Sequence, residues 1–143
     1  MTYCVYPFEF HYCTQISWED VDNQILKELK NNTCRIVGED NPTIILLDHH
    51  NYSSPISNIR DRTKNKCLMG VLHVYVSKNS NAQTMGNHRD DVDVLIVQSI
   101  GNMTYIIDNQ TIILNPGDGL FIPKGVDHNP IATEPRVTLS FSQ

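Results

Sequence analysis

Pro116-Gly117-Asp118-Gly119-Leu120-Phe121-Ile122-Pro123-Lys124-Gly125-Val126-Asp127-His128 holds a turn, a short strand, a second turn and a histidine within thirteen residues. Pro116-Gly117 turns the chain, since proline presets one backbone angle and glycine accepts the left-handed one. Residues 119–122 read as a strand. Pro123-Lys124-Gly125 turns the chain again and delivers His128 at its exit. The same pattern extends outward. Residues 92–100 form a strand that is apolar on both faces, and Gly101-Asn102 and Asp108-Asn109 are two-residue turn signals. Strands are predicted at 103–107 and 111–114, and a last one at 136–141. An earlier strand, 67–77, is followed by a polar loop over 78–87. Many short strands punctuated by Gly, Pro and Asn predict a small antiparallel barrel or jelly roll.

The first half has a different character. Residues 3–10, rich in aromatic and β-branched side chains, predict a strand. Ser17 and Asp20 have capping-box spacing, and Ile16 with Val21 forms a hydrophobic staple. Val21, Ile25 and Leu29, with Leu26 beside them, make one apolar stripe at helical spacing. The spacing predicts a helix that ends near Asn31-Asn32 and covers a sheet. Residues 34–37 are a short strand, and 43–47 a strand buried on both faces. Residues 48–66 read as a long polar surface excursion with Pro55 and a basic cluster, Arg60, Arg62, Lys64 and Lys66. That cluster reads as a solvated face, with docking of an acidic partner as the alternative. Without repeat, low-complexity tract or linker, residues 1–143 are expected to form one domain. Residues 1–66 supply an N-terminal strand, helix and sheet extension, and residues 67–143 the core barrel.

Composition narrows the function classes. The 143 residues carry 11 Lys+Arg against 16 Asp+Glu, a formal net charge of −5, and six histidines. A hydrophobic fraction of 40% with 19% charged residues excludes a disordered tail. The acidic balance argues against a sequence-independent grip on nucleic acid. No run approaches the roughly 20 apolar residues of a membrane span, and the N-terminus lacks the basic and apolar regions of a signal peptide. Cys4, Cys13, Cys34 and Cys67 fall in no CxxC pair. They read as reduced, mostly buried thiols of a cytoplasmic protein.

Three of the ligand-capable residues stand out: His88, Asp90 and His128. His88 and Asp90 are two apart, so a strand places both on one face. His128 lies 38 residues later, a separation that a barrel of short hairpins can close. Two imidazoles and one carboxylate on one face of a metal leave positions open, the arrangement of non-haem Fe(II) oxygenases. Asp48-His49-His50 also looks metal-like, but adjacent residues on a strand point to opposite faces. His11 reads as a surface or partly buried residue.

The run from Pro116 to His128 resembles the second cupin motif, and Gly101 matches the glycine that closes the first. The run His88-Arg89-Asp90-Asp91-Val92-Asp93-Val94-Leu95-Ile96-Val97-Gln98-Ser99-Ile100-Gly101 resembles the JmjC-type 2-oxoglutarate oxygenases, and most of all the ribosomal oxygenases. Val137-Thr138-Leu139-Ser140 is similar to their closing strand. The resemblance covers roughly residues 67–142.

It implies a mainly β fold: a double-stranded β-helix, or cupin jelly-roll barrel, with an N-terminal helix. It further implies Fe(II) bound by His88, Asp90 and His128, with 2-oxoglutarate as co-substrate. The larger ribosomal oxygenases carry further regions after the barrel, so this chain is expected to be a bare catalytic core. Met103 stands where the family has the lysine that holds the far carboxylate of 2-oxoglutarate. Arg136 and Thr138, on one face of the last strand, are the alternative holders, and Arg suits bidentate carboxylate binding. Tyr75 matches a family tyrosine, and His73 falls beside the site. The implied activity is a dioxygenase that hydroxylates a protein or peptide side chain. Two rivals are a metal-binding cupin enzyme without 2-oxoglutarate and a non-catalytic binding module. Homo-oligomerisation is left open.

Overall fold

Alternation along the last strand organises the molecule, because Val137, Leu139 and Phe141 turn to one core and Arg136, Ser140 and Ser142 to a cavity. A computed structural model of the chain describes residues 2–47 and 51–143. Among these, ten strands and two α-helices follow in the order β1 (Cys4–Tyr6), α1 (Trp18–Asn31), β2 (Cys34–Val37), β3 (Thr43–Leu46), α2 (Ile56–Cys67), β4 (Val71–Ser77), β5 (Val94–Ile100), β6 (Met103–Ile107), β7 (Gln110–Leu114), β8 (Gly119–Ile122), β9 (His128–Ile131) and β10 (Arg136–Ser142). Seven strands form one sheet in the order β1-β8-β5-β10-β4-β3-β2, and β7-β6-β9 form a second. Every pairing is antiparallel.

Two apolar clusters result. One joins the outer face of the large sheet to the helices, with Val21, Ile25, Ile56 and Ile59 packed on Leu72, Val74, Val97 and Leu139. The other fills the barrel, with Val94, Ile96, Met103, Ile107, Leu114 and Leu120. Their burial from both sides is why 94–100 reads as a continuous apolar run. The ladder between β5 and β10 slips by one residue at Val137/Thr138, so that Val137 faces Ile100 and Thr138 faces Gln98. The hairpin between β6 and β7 turns on Asp108 and Asn109, with φ of 54° and 59°, the left-handed pair a tight hairpin needs. Gly101 is required by contact as well as by φ: a Cβ there would lie 2.2 Å from the carbonyl oxygen of Pro135.

Several expectations are corrected. The strand expected over 3–10 is only Cys4–Tyr6, because the chain then turns into a 3-10 helix at His11–Thr14. Helix α1 has both halves of the Ser17–Asp20 capping box and ends on a left-handed Asn32. However, Leu26 and Leu29 are 66% and 49% exposed. The inward face is Val21, Gln24, Ile25 and Glu28. Gln24 turns inward because its amide donates to the Asn51 carbonyl at 2.9 Å and its carbonyl accepts from Ser53 N–H at 2.9 Å.

The excursion expected over 48–66 contains helix α2, which buries Ile56, Ile59 and Thr63 at helical spacing. Its basic residues form the exposed face expected of them, at Arg62, Lys64 and Lys66, and two of them also lie over aromatic rings. Arg62 lies 4.0 Å from the centre of the Tyr12 ring and Lys66 lies 4.9 Å from that of Phe10. Cys67 ends this helix, so β4 starts at Val71. Strand β9, which contains Pro130, lies between the expected turn at 123–125 and the last strand and is not among the expected strands. It sits at an edge of the small sheet, where proline is tolerated. All four cysteines are free, but only Cys13 is buried, and Cys4 is exposed. Burial pushes the Cys13 thiol up to about 12. No helix among the described residues is long and apolar enough to cross a membrane.

Candidate active site

Two loop segments are tied together to make one end of the site. His88 and Asp90 precede β5 rather than lie on it, which corrects the expected strand placement. His88 instead forms an isolated bridge with His128, each backbone N–H donating to the other's carbonyl at 2.9 Å. Beside them, Arg89 donates from Nε and Nη2 to the two carboxylate oxygens of Asp127 at 3.0 and 3.2 Å. Gly125 N–H donates to the Asp90 carbonyl, and Lys124 N–H to the Asp93 carboxylate at 2.8 Å. The Pro123-Lys124-Gly125 turn is thereby anchored to the His-x-Asp segment.

These ties bring three side chains to one point. One ligand-capable atom from each of His88, Asp90 and His128 lies within 4.8 Å of the others. His88 Nε2 is 3.7 Å from Asp90 Oδ1, and His128 Nε2 is 3.4 Å from Asp90 Oδ2. The Nδ1 atoms face backbone carbonyls, His88 that of Gly86 at 2.7 Å and His128 that of Val126 at 3.0 Å. A carbonyl only accepts, so each Nδ1 carries a proton, which leaves Nε2 of each ring, the atom turned toward Asp90, as the one to ligate a metal. Burial lowers the pKa of His128, which favours the neutral ring. Two imidazoles and a carboxylate converging on one point therefore fit a divalent transition metal.

Behind this point the two sheets enclose a cavity of about 220 Å³. Arg136, from β10, lines it and is 2% exposed. Its Nε donates to Ser77 Oγ at 2.8 Å and its Nη1 to Thr138 Oγ1 at 2.9 Å. Thr138 donates in turn to Gln98 Oε1 at 2.8 Å. Gln98 Nε2 is fixed by the carbonyls of Ile100 and Gly101, both at 2.9 Å. No carboxylate among the described residues pairs with Arg136. Burial lowers its pKa, because the cation has lost its hydration.

The structure thus gathers His88, Asp90, His128, Arg136 and Tyr75 around one cavity, with His73 also on its wall. Thr138 does not line the cavity; it holds Arg136. Met103 is fully buried in the barrel cluster. His11 is exposed and stacks on Phe8, ring centres 4.9 Å apart. Asp48, His49 and His50 lie outside the described residues. Sequence reasoning missed Ser77, Gln98 and Tyr105. Gln98 had a signal, a single amide inside an apolar strand. Tyr105 shares a strand face with Met103. Ser77, at a strand end, had none.

No family model and no curated protein matches the chain. Solved structures do. A structure of Escherichia coli YcfD is 16% identical over 98% of this chain and 49% of its own, with a TM-score of 0.76. YcfD described as a ribosomal oxygenase in complex with cobalt and 2-oxoglutarate is 22% identical over 74% of this chain and 32% of its own, with a TM-score of 0.62. SnoN, a non-haem α-ketoglutarate-dependent epimerase from nogalamycin biosynthesis, is 13% identical over 99% of this chain and 77% of its own, with a TM-score of 0.63. The chain spans about half or less of the YcfD structures. The shared feature is the architecture: this chain has the double-stranded β-helix, or cupin-type jelly-roll fold, of these oxygenase and epimerase structures.

Proposed function

We propose that this chain is an Fe(II)- and 2-oxoglutarate-dependent oxygenase that hydroxylates a protein or peptide side chain. The reading rests on one observation: a two-histidine, one-carboxylate set shares a single cavity with a buried guanidinium that meets no carboxylate among the described residues. The cobalt and 2-oxoglutarate named with a YcfD structure of the same fold support it. His88, Asp90 and His128 would hold the metal. Arg136, steadied by Thr138, would receive the far carboxylate of 2-oxoglutarate, and Tyr75 would line its path. Iron and 2-oxoglutarate, when bound, supply oxygen activation coupled to decarboxylation of the co-substrate to succinate and CO2. The chain's own share is orientation. Gly86 and Val126 carbonyls fix the imidazoles, and the apolar walls at Val94 and Ile96 keep the co-substrate out of bulk water. The four free thiols fit a reducing, intracellular setting.

A second reading, a metal-dependent cupin enzyme without 2-oxoglutarate, is favoured by the apolar Met103 at the lysine position. Anaerobic addition of Fe(II) and then 2-oxoglutarate separates the readings. A weak visible charge-transfer band, absent in His88→Ala, is the expected result. Iron binding without the band favours the second reading, and absence of iron binding leaves a non-catalytic module.

A further inference from the structure

Helix α2 packs on the face of the large sheet away from the cavity, and the oxygenase reading makes no use of it. Four of the eleven Lys and Arg residues fall within 60–66, although the net charge of the chain is −5. Arg60 pairs with Asp61 at 3.1 Å. Arg62, Lys64 and Lys66 are exposed and meet no carboxylate among the described residues. Arg62 and Lys66, four apart, share one flank of the helix. They lie over the rings of Tyr12 and Phe10, at 4.0 and 4.9 Å from the ring centres. The Tyr12 hydroxyl is hydrogen-bonded to that of Thr63 in α2 at 2.8 Å, and Lys66 donates to the Glu9 carbonyl at 3.4 Å. Ring faces and a carbonyl therefore orient these two cations without neutralising them. Two apolar side chains border them. Leu68, two residues past Lys66, is 84% exposed, and Phe8, next to Glu9, is 62% exposed. Both have left-handed backbone, with φ of 58° and 56°. Leu68 is the C-cap of α2, a position where glycine avoids the strain. A leucine there buries nothing, so the fold gains nothing from it.

We propose that this flank of α2 docks a short acidic polypeptide segment, with carboxylates on Arg62 and Lys66 and an apolar side chain against Leu68 or Phe8. Residues four apart stand about 6 Å apart along a helix axis. Alternate side chains of an extended segment repeat at roughly 6.6 Å. Acidic residues two apart on such a segment therefore reach both cations, and the guanidinium can take its carboxylate in bidentate fashion. Because rings already hold the two cations, little rotamer freedom is lost on docking. Lys64 adds to the positive field without a pairing of its own. Two features favour a polypeptide over nucleic acid. The net charge of −5 repels a polyanion that extends beyond the patch. Leu68 offers an aliphatic contact that suits a side chain better than a phosphate backbone. The surface is separate from the cavity and does not depend on the oxygenase reading.

The test is fluorescence anisotropy at low salt, titrating the full chain into a labelled synthetic peptide that alternates Glu with Leu and Ser. The wild type should bind it. Joint Arg62→Glu and Lys66→Glu changes should weaken binding by about 100-fold. Lys30→Glu, a charge reversal at another exposed site, should change it by less than about threefold. Leu68→Gly should weaken binding about fivefold while raising Tm, because glycine relieves the left-handed cap as it removes the apolar contact. Should the doubly reversed chain fail to fold, Leu68→Gly carries the test. Equal binding of a peptide with Lys in place of Glu would overturn the proposal, as would an unchanged affinity in the doubly reversed chain. Tighter binding of a labelled oligouridylate would overturn it in favour of nucleic acid. A fall in Tm with Leu68→Gly would overturn the role of Leu68, by showing that the leucine serves the fold. Neither iron nor 2-oxoglutarate enters the titration, so its outcome bears on this surface alone.

Discussion

At the mouth of the cavity His88 and Asp90 come from a loop and the buried His128 from the first position of β9, whereas at the inner end every functional side chain comes from a strand. His88 and Asp90 have 28% and 34% of their side chains exposed. Ser77 and Gln98 are fully buried, Thr138 is 1% exposed and Arg136 is 2% exposed. The support differs too. The imidazoles are oriented by main-chain carbonyls, which no substitution removes. The guanidinium is oriented by the side chains of Ser77 and Thr138, and Thr138 by that of Gln98. The mouth should therefore yield to changes at the three ligands and at the Arg89, Asp93 and Asp127 side chains that tie its two segments together. The inner end should yield to changes at residues that touch no ligand.

The most severe test is at the mouth. Asp90→Ala or His128→Ala is expected to weaken Co(II) binding by more than about 100-fold in equilibrium dialysis. The far-UV spectrum of each variant should match the wild type; a lost fold would show that these side chains hold the two segments together rather than a metal. Next, Arg136→Gln should keep Co(II) affinity within about threefold while weakening 2-oxoglutarate binding by about 100-fold. If metal affinity fell instead, the guanidinium would belong to the metal end. A smaller effect is expected from Gln98→Ala, which strips Thr138 of its acceptor. The KM for 2-oxoglutarate should rise about tenfold with kcat preserved; a fall in kcat at constant KM would show that Gln98 acts elsewhere. Ser17→Ala is the mildest. It should cost about 1 kcal/mol of stability by denaturant melting and change neither ligand's affinity, because it touches only the cap of α1.

The mouth was legible because its geometry is written in turns. Pro123-Lys124-Gly125 and His88-x-Asp90 sit at spacings that local chemistry enforces, so the three ligands could be named before their distances were known. The inner end was legible only in part. Arg136 and Thr138 follow from strand alternation, but the Ser77 that accepts from Arg136 comes from β4, 59 residues away. Such pairing depends on strand order, which no local pattern encodes. The helix α2 escaped for a related reason. Its low apolar content, Ile56 and Ile59 amid basic residues, looks like a loop until the rings of Tyr12 and Phe10 are placed beneath Arg62 and Lys66. Likewise Leu26 and Leu29 looked like core by hydropathy alone. Gln24 and Glu28 took the inward positions, and for Gln24 hydrogen bonds to residues 51 and 53 supply the reason.

The one-residue slip between β5 and β10 works as a counting device. Before it, Val94, Ile96 and Gln98 share the barrel side with Ser142, Ser140 and Thr138. After it, Ile100 pairs with Val137 and joins the helix-side core, although parity alone would have sent it inward. Ser99 is the extra residue, held by donating to the Cys13 carbonyl at 2.6 Å. Deleting Ser99 would change no ligand and remove no cavity wall. It would nonetheless shift the frame in which Gly101 passes under Pro135, immediately before Arg136. The inner end of the cavity thus depends on the number of residues in β5 as well as on their identity, so an insertion or deletion there should be less tolerated than most substitutions.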